Sequence, residues 1–194
     1  EAGCSFCPAV YHGKRRAENF KSQQIIGLDF DSGVPFHIIQ QRAKYYHLKM
    51  LFAYKTFSHT IEHERFRVVF ALQHKITDSF TAKFIVSIFM KIFENCDEAC
   101  KDSARLFFGG KGLLHLASKP HEISLGEIIL AFTAYMFDKY GGKHYTRELQ
   151  KFYIANRIRF EKNHPITDHG SFIPETSPQP VRSHASDKLK NGRR

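Results

Sequence analysis

The stretch Gln24-Ile25-Ile26-Gly27-Leu28-Asp29-Phe30-Asp31 constrains this chain more than any other: it is an apolar run that ends in two acids one residue apart. Side chains alternate across a strand, so Asp29 and Asp31 emerge on one face while Ile26, Leu28 and Phe30 take the other. Two carboxylates held that close repel each other, and a divalent cation that takes oxygen ligands relieves the repulsion. Magnesium or manganese is the expected occupant. A simpler account also fits, because Asp-Ser-Gly is good turn chemistry and a strand running into a turn explains Asp31 with no metal.

A hydrophobic content of 42%, with 14% aromatic residues, is ample for one sizeable core in a chain of 194 residues. Lys and Arg number 29 against 19 Asp and Glu, a formal charge of +10 that favours a polyanionic partner such as nucleic acid or nucleotide phosphates. No apolar stretch approaches the length of a membrane span and no signal peptide is visible, so the expected location is cytoplasmic and no membrane partner is expected. The chain begins at Glu1 and ends in a polar tail, which reads as part of something longer. Cys4 with Cys7 and Cys96 with Cys100 form two close pairs. Four thiolates can hold zinc if the amino terminus folds back beside residues 96 to 100, but reduced, unligated cysteines are the expectation for a cytosolic protein.

Residues 8 to 20 read as a short strand or loop carrying the basic cluster Lys14, Arg15 and Arg16, a candidate nucleic-acid contact. After the acidic strand, Ser32-Gly33 turns the chain and Pro35 suits the first turn of a helix running to about residue 48, with Ile38, Ile39, Ala43, Tyr46 and Leu48 on its apolar face. Met50 to Thr56 is a second strand, and Ser58 to Glu64 a polar loop. Arg65 to Leu72 alternates strictly as a third strand, Phe66, Val68, Phe70 and Leu72 against Arg65, Arg67, Val69 and Ala71. Thr77 or Asp78 caps a helix to about Asn95 with Phe80, Phe84, Ile88 and Ile92 at i, i+4 spacing on its apolar face and Ile85, Phe89 and Phe93 beside them. Ala104 to Gly109 is the fourth strand, broken by Gly109-Gly110.

The order strand, helix, strand, strand, helix, strand predicts an α+β fold of the ferredoxin-like βαββαβ type, with the first and third strands adjacent and the fourth beside the first. Helices would cover the face bearing Phe30, Phe66 and Phe70, leaving Asp29, Asp31, Arg65, Arg67 and Arg105 together on an uncovered face. An acid pair flanked by arginines suits nucleotide chemistry, since the cations neutralise a triphosphate while a metal activates the attacking oxygen. A surface ion-pair network with no ligand fits the same spacing.

Three features carry a family resemblance: IIGLDFD, the later Asp97, and Arg105 eight residues beyond it. Over roughly residues 20 to 116 the chain resembles the archaeo-eukaryotic primase superfamily in its primase-polymerase branch, whose first motif is acid-x-acid at a strand end and whose third is a lone acid followed by a basic strand. The resemblance implies an RRM-like catalytic core and a template-directed nucleotidyltransferase, with Asp29, Asp31 and Asp97 holding two divalent metals, Mg2+ or Mn2+. Asp102 rivals Asp97 for the third acid, and a turn-capping role is expected for it. The family's second motif, Ser-x-His, is missing, and Glu64-Arg65-Phe66-Arg67 stands in its place. Arg67 could replace the histidine as a phosphate ligand; Arg105, Arg65, Ser58 and His59 are further nucleotide-binding candidates, and His63 and Lys111 candidate nucleotide or nucleic-acid contacts. The implied partners are a single-stranded DNA template, dNTPs or NTPs, and a fused or associated helicase.

Three segments follow from this reading: a catalytic core with an N-terminal extension over 1–116, accessory helices over 117–162, and a polar linker or disordered tail over 163–194. In the second, Ser124 and Glu127 form a capping box opening a helix through about Tyr140, with Ile128, Ile129, Phe132 and Met136 on its apolar face. A further helix, about Thr146 to Glu161, interleaves Lys151, Arg157, Arg159 and Lys162 with Phe152, Tyr153 and Phe160, a pattern that suits either a nucleic-acid backbone or packing on the core. Two other classes remain. A rolling-circle initiator of similar fold needs a His-hydrophobic-His metal motif, which is absent from the sequence, and a non-catalytic nucleic-acid-binding module needs aromatics on the exposed strand face.

Overall fold

A computed structural model describes residues 4–156. The elements run β1 (Ser5–Phe6), β2 (Ala9–Tyr11), β3 (Phe20–Phe30), α1 (Phe36–Tyr45), β4 (Phe52–Thr56), β5 (Phe66–Ile76), α2 (Ser79–Phe93), β6 (Phe107–Phe108), β7 (Gly110–Leu116), β8 (Glu122–Ile123), α3 (Leu125–Tyr140) and α4 (Tyr145–Ala155). The fold is α+β. A six-stranded sheet has the order β2-β3-β5-β4-β7, and β8 lies parallel to β5 at Ala71 and Leu72. Among the described residues no helix is long and apolar enough to cross a membrane.

The split βαβ heart of the expected topology is present: β3 pairs antiparallel with β5, and β5 with β4. The alternation in β5 buries Phe66, Val68, Phe70 and Leu72 on the helix side. There Phe70 meets Phe89 and Phe93 of α2 at ring centroids of 5.0 and 5.1 Å, and Phe66 meets Phe36 of α1 at 5.3 Å. Asp78 caps α2 by accepting the Thr81 backbone N–H. Pro35 offers α1 no such side chain; the Glu64 carboxylate accepts the Phe36 N–H at 2.8 Å instead, reaching back from the loop before β5.

The fourth strand departs from expectation. Only Phe107 and Phe108 are extended in the predicted segment, and they pair with β1 in a separate two-stranded ribbon. The place beside β3 is taken by β2. Beyond the glycines the chain continues as β7, a strand the sequence reading lacked, which pairs with β4 at the opposite edge. Gly110 permits this crossing, since a Cβ there would lie 1.8 Å from the Lys55 carbonyl oxygen.

The ribbon also overturns the idea of an uncovered face. Phe6 stacks on Phe107 at 5.4 Å and meets Phe52 of β4 edge-on at 6.3 Å, and Phe107 lies directly over Gly27. A Cβ at Gly27 would stand 3.0 Å from that ring. The glycine inside an apolar strand is what lets the roof close down. The face therefore does carry aromatics, Phe52 and Tyr54, but they pack under the ribbon beside the charged residues.

Three helices differ from expectation. Phe80, expected on the apolar face of α2, is in its first turn and 43% exposed, because the core contacts of that helix begin one turn later. α1 stops at Tyr45 because His47 turns the chain at φ 57, and Leu48 donates its N–H back to Ala43. On α3 the capping box of Ser124 and Glu127 forms as expected, but Ile129 is exposed while Ala131 and Tyr135 join Ile128, Phe132 and Met136 in the core. α4 inserts Phe152 between Phe84 of α2 and Phe132 of α3, at 5.9 and 4.7 Å, so its aromatics serve packing. Arg157, Arg159, Phe160, Lys162 and the 163–194 tail lie outside the described residues.

Candidate functional site

Asp29 is the last-but-one residue of β3, and strand alternation aims it at the ribbon side, level with Arg67 of β5 and Tyr54 of β4 across the sheet. Asp31 follows one residue past the strand end, on the same side and exposed. Asp97 arrives from a distance. After α2, Glu94 and Asn95 take φ values of 35 and 59 and reverse the chain, and the Asp97 N–H then donates to the Asp29 carbonyl at 2.8 Å. Ligand oxygens of Asp29, Asp31 and Asp97 all lie within 4.8 Å of one another. Asp102 stays outside this group and caps a turn by accepting the Ala104 N–H at 2.9 Å.

The arginines hold this cluster. Arg105 is bidentate between two acids, with Nη2 2.7 Å from Asp29 Oδ2 and Nη1 2.7 Å from Asp97 Oδ2. Arg67 Nε lies 3.1 Å from the same Asp29 oxygen, while its Nη1 donates to the Phe108 carbonyl of the ribbon. Tyr54 donates its hydroxyl to that carbonyl too, at 2.9 Å. Both guanidiniums lie over the Phe107 ring, at 5.8 and 5.6 Å. Asp29 is only 1% exposed, yet its Oδ1 has no hydrogen-bond partner. An unpartnered buried carboxylate oxygen is costly.

Protonation follows from these surroundings. Burial pushes the Asp29 carboxyl above the ordinary range and the Asp31 charge adds to it, against the pull of Arg67 and Arg105. Asp97 is held below that range, first by the Ala99 backbone N–H and then by Arg105. Cys100 lies beneath the site and accepts the Asp29 N–H at 3.2 Å; burial pushes its thiol up to about 11 and that of Cys96 to about 12. Cys7 donates to the Ser103 carbonyl at 3.4 Å. Among the described residues the acids are the one group of three or more metal-ligating side chains, and the paired cysteines do not converge into another.

The other sequence candidates lie around this centre or away from it. Arg65 precedes β5 and makes no ion pair with the acids; its N–H donates to His59 Nδ1 at 3.1 Å, which fixes that ring against the backbone. Ser58 shares a hydrogen bond with Thr56 at 3.3 Å. His63 Nε2 lies 2.8 Å from the Asp31 carbonyl, so it is at the rim of the acid cluster. Lys111 is exposed on β7, the edge strand beside Tyr54. Lys14, Arg15 and Arg16 are exposed in the turn before β3, roughly 30 Å of strand away from Asp29. Tyr54 and Phe107 were not anticipated at the site, and Cys100, a zinc candidate in the sequence, instead lies beside Asp29. Gly27, mid-strand in an apolar run, was the one signal that something approaches closely there.

The VapE N-terminal domain model matches residues 3–110, more than half of the chain. The chain belongs to that family. This domain occurs in replication-associated proteins of phages and plasmids, and the matched span contains every acid and arginine of the cluster. The match names a replication-associated domain, and primase chemistry is a step beyond it. No curated protein and no solved structure matches significantly.

Proposed function

We propose that the acid cluster is the metal site of a template-directed nucleotidyltransferase, a primase-polymerase acting on single-stranded DNA within a replication protein. The observation that carries this reading is the convergence of Asp29, Asp31 and Asp97 within 4.8 Å, with a buried Asp29 oxygen left unpartnered. Three carboxylates with a free oxygen suit Mg2+ or Mn2+, hard cations that take oxygen ligands. Bound there, such ions lower the pKa of an attacking hydroxyl and neutralise phosphate oxygens. The residues of the chain do the rest: Asp31 and Asp97 present carboxylates from the rim, and Asp29 anchors the cluster from below. Arg67 and Arg105 sit where guanidiniums can take phosphate oxygens as bidentate partners. In this reading Arg67 takes the phosphate-ligand role of the missing Ser-x-His motif.

A second reading rests on a specific observation. Asp29 already has two arginine partners and a closed roof, which also describes a structural ion-pair core in a non-catalytic nucleic-acid-binding module or replication initiator. Primer synthesis and extension on a single-stranded DNA template, with labelled nucleotides and Mn2+ or Mg2+, separates the two. The comparison is with Asp31→Ala plus Asp97→Ala, which spares the buried anchor. Metal-dependent product that the double substitution abolishes supports the transferase. Absence of product, with no Mn2+ binding by calorimetry, leaves the structural reading.

A further inference from the structure

A second charged surface lies away from the acids. α1 ends at Tyr45 and the chain passes through His47 and Lys49 to enter β4; β7 runs along β4 and leaves the sheet toward Lys119. The Ala117 N–H donates to the Leu51 carbonyl at 2.9 Å and ties the two passages together. Between them lies an open groove of about 540 Å³. Lys44, His47, Lys49, His115 and Lys119 line it, and no acid does. Many bases on the described surface do have carboxylate partners: Arg42 and Lys139 share Glu94, Lys101 has Glu98, and Lys151 has Glu148. None of the groove's lysines or histidines forms an ion pair among the described residues.

We infer that this groove binds the phosphodiester backbone of a single-stranded nucleic acid. The lysines come from three separate segments, the last turn of α1, the entry to β4 and the exit from β7, so a strand with several phosphates meets them together where one phosphate cannot. Apolar side chains share the lining: Ala43, Leu48 and Met50 are buried in the floor, and Leu116 is 65% exposed at the rim. Unpaired bases can cover such surface, whereas a duplex presents phosphates and keeps its base faces stacked. Lys49 is five residues before Tyr54, the residue level with Asp29 and Arg67, so at most roughly 17 Å of extended chain separates the groove from that row. The partner class is that of the proposed function; the site and its binding need no metal.

The test is fluorescence anisotropy of a labelled oligothymidylate with the full chain, in EDTA, across a salt series. The groove variant carries Lys44→Ala, Lys49→Ala and Lys119→Ala; a control of equal charge change carries Lys75→Ala, Lys83→Ala and Lys143→Ala, exposed lysines outside the groove. Single strands release about 0.7 counterion per phosphate neutralised, so losing three contacts lowers the slope of log K against log salt by about 2 and weakens binding about 100-fold at 0.1 M salt. The control changes the slope far less. A milder pair, Lys44→Gln with Lys119→Gln, lowers the slope by about 1.4 and answers the question if the triple variant does not fold. An unchanged slope in the groove variants, an equal loss in the control, tighter binding of a duplex, or full competition by tripolyphosphate at equal phosphate concentration overturns the assignment. Because EDTA removes divalent ions, failure here is distinguishable from failure of the metal site.

Discussion

Arg105→Leu tests whether Arg105 and a divalent ion compete for the acid cluster, as the proposed metal site requires. Leucine keeps an apolar side chain at this position but removes the guanidinium that lies 5.6 Å over the Phe107 ring, and with it two charge-assisted bonds of 2.7 Å, one to Asp29 and one to Asp97. Stripping a partner from a buried ion pair costs about 3–5 kcal/mol. Asp29 keeps Arg67 at 3.1 Å, and the Asp97 side chain is 34% exposed and can recover water, so the expected loss is smaller, about 2–3 kcal/mol. In a chain of this size that lowers the thermal midpoint by roughly 4–12 °C. Mn2+ at a hundred times its Kd returns about 2.7 kcal/mol, comparable to the loss. On the proposed reading the ion competes with Arg105 for the same carboxylates, so the upshift with Mn2+ is larger in the variant and the gap narrows. Differential scanning fluorimetry with and without Mn2+ reads both quantities. An unchanged midpoint without metal, or an equal upshift in both proteins, refutes the reasoning.

Three further outcomes follow from the packing and the charges. Gly27→Val forces the Phe107 ring away from a Cβ position 3.0 Å from it, at a cost of about 1–3 kcal/mol in urea unfolding; a neutral result means the ribbon is not seated on β3. Asp78→Ala removes the cap that accepts the Thr81 N–H at 2.6 Å and costs about 1 kcal/mol by the same assay, whereas Asp78→Asn retains most of that. Glu94 is raised by burial, but hydrogen bonds from Lys139 and Tyr135 and the charges of Lys139 and Arg42 outweigh this and hold it below the usual carboxylate range. Its stabilisation is therefore complete above the unfolded glutamate pKa of about 4.3 and lost as pH falls through the native value, so the deficit of Glu94→Gln in urea midpoint is larger at about pH 7 than at about pH 3.

The acidic strand, the Asp78 cap, the Ser124 and Glu127 capping box and the split βαβ order were legible because each is a local pattern: alternation, a cap residue, a reciprocal pair at fixed spacing. Asp97 was separable from Asp102 only through the primase resemblance, and the physical cause of its placement, two consecutive residues at positive φ, has no reliable signature in Glu94-Asn95. The ribbon was invisible for a different reason. Ser5–Phe6 and Phe107–Phe108 are two-residue strands from far-apart segments, too short for any periodicity. β7, with Gly110 and Gly112 in a seven-residue strand, looks like a break rather than an edge strand. The cover over the acid cluster goes with the first of those omissions, since residue alternation predicts which way a side chain points and not what lies above it.

That burial bears on how the cluster is built. Three carboxylates against two guanidiniums leave it one negative charge in excess, with the deficit concentrated at the unpartnered Asp29 Oδ1. A buried carboxylate kept for stability alone is better served by a partner on both oxygens, or by replacement with an apolar residue of similar volume. Here both arginines crowd Oδ2, and each has a second attachment outside Asp29: Arg105 on Asp97, Arg67 on the Phe108 carbonyl. Arg105 can leave Asp29 and stay paired with Asp97, whereas Arg67 would keep only its hydrogen bond to the Phe108 carbonyl. On the proposed reading a phosphate or divalent ion takes the place of Arg105 at Asp29, whereas a purely structural ion-pair core keeps that arginine in place. The Arg105→Leu experiment is therefore the sharper of the two tests of this site, because it asks whether the exchange happens before asking what chemistry the exchange serves.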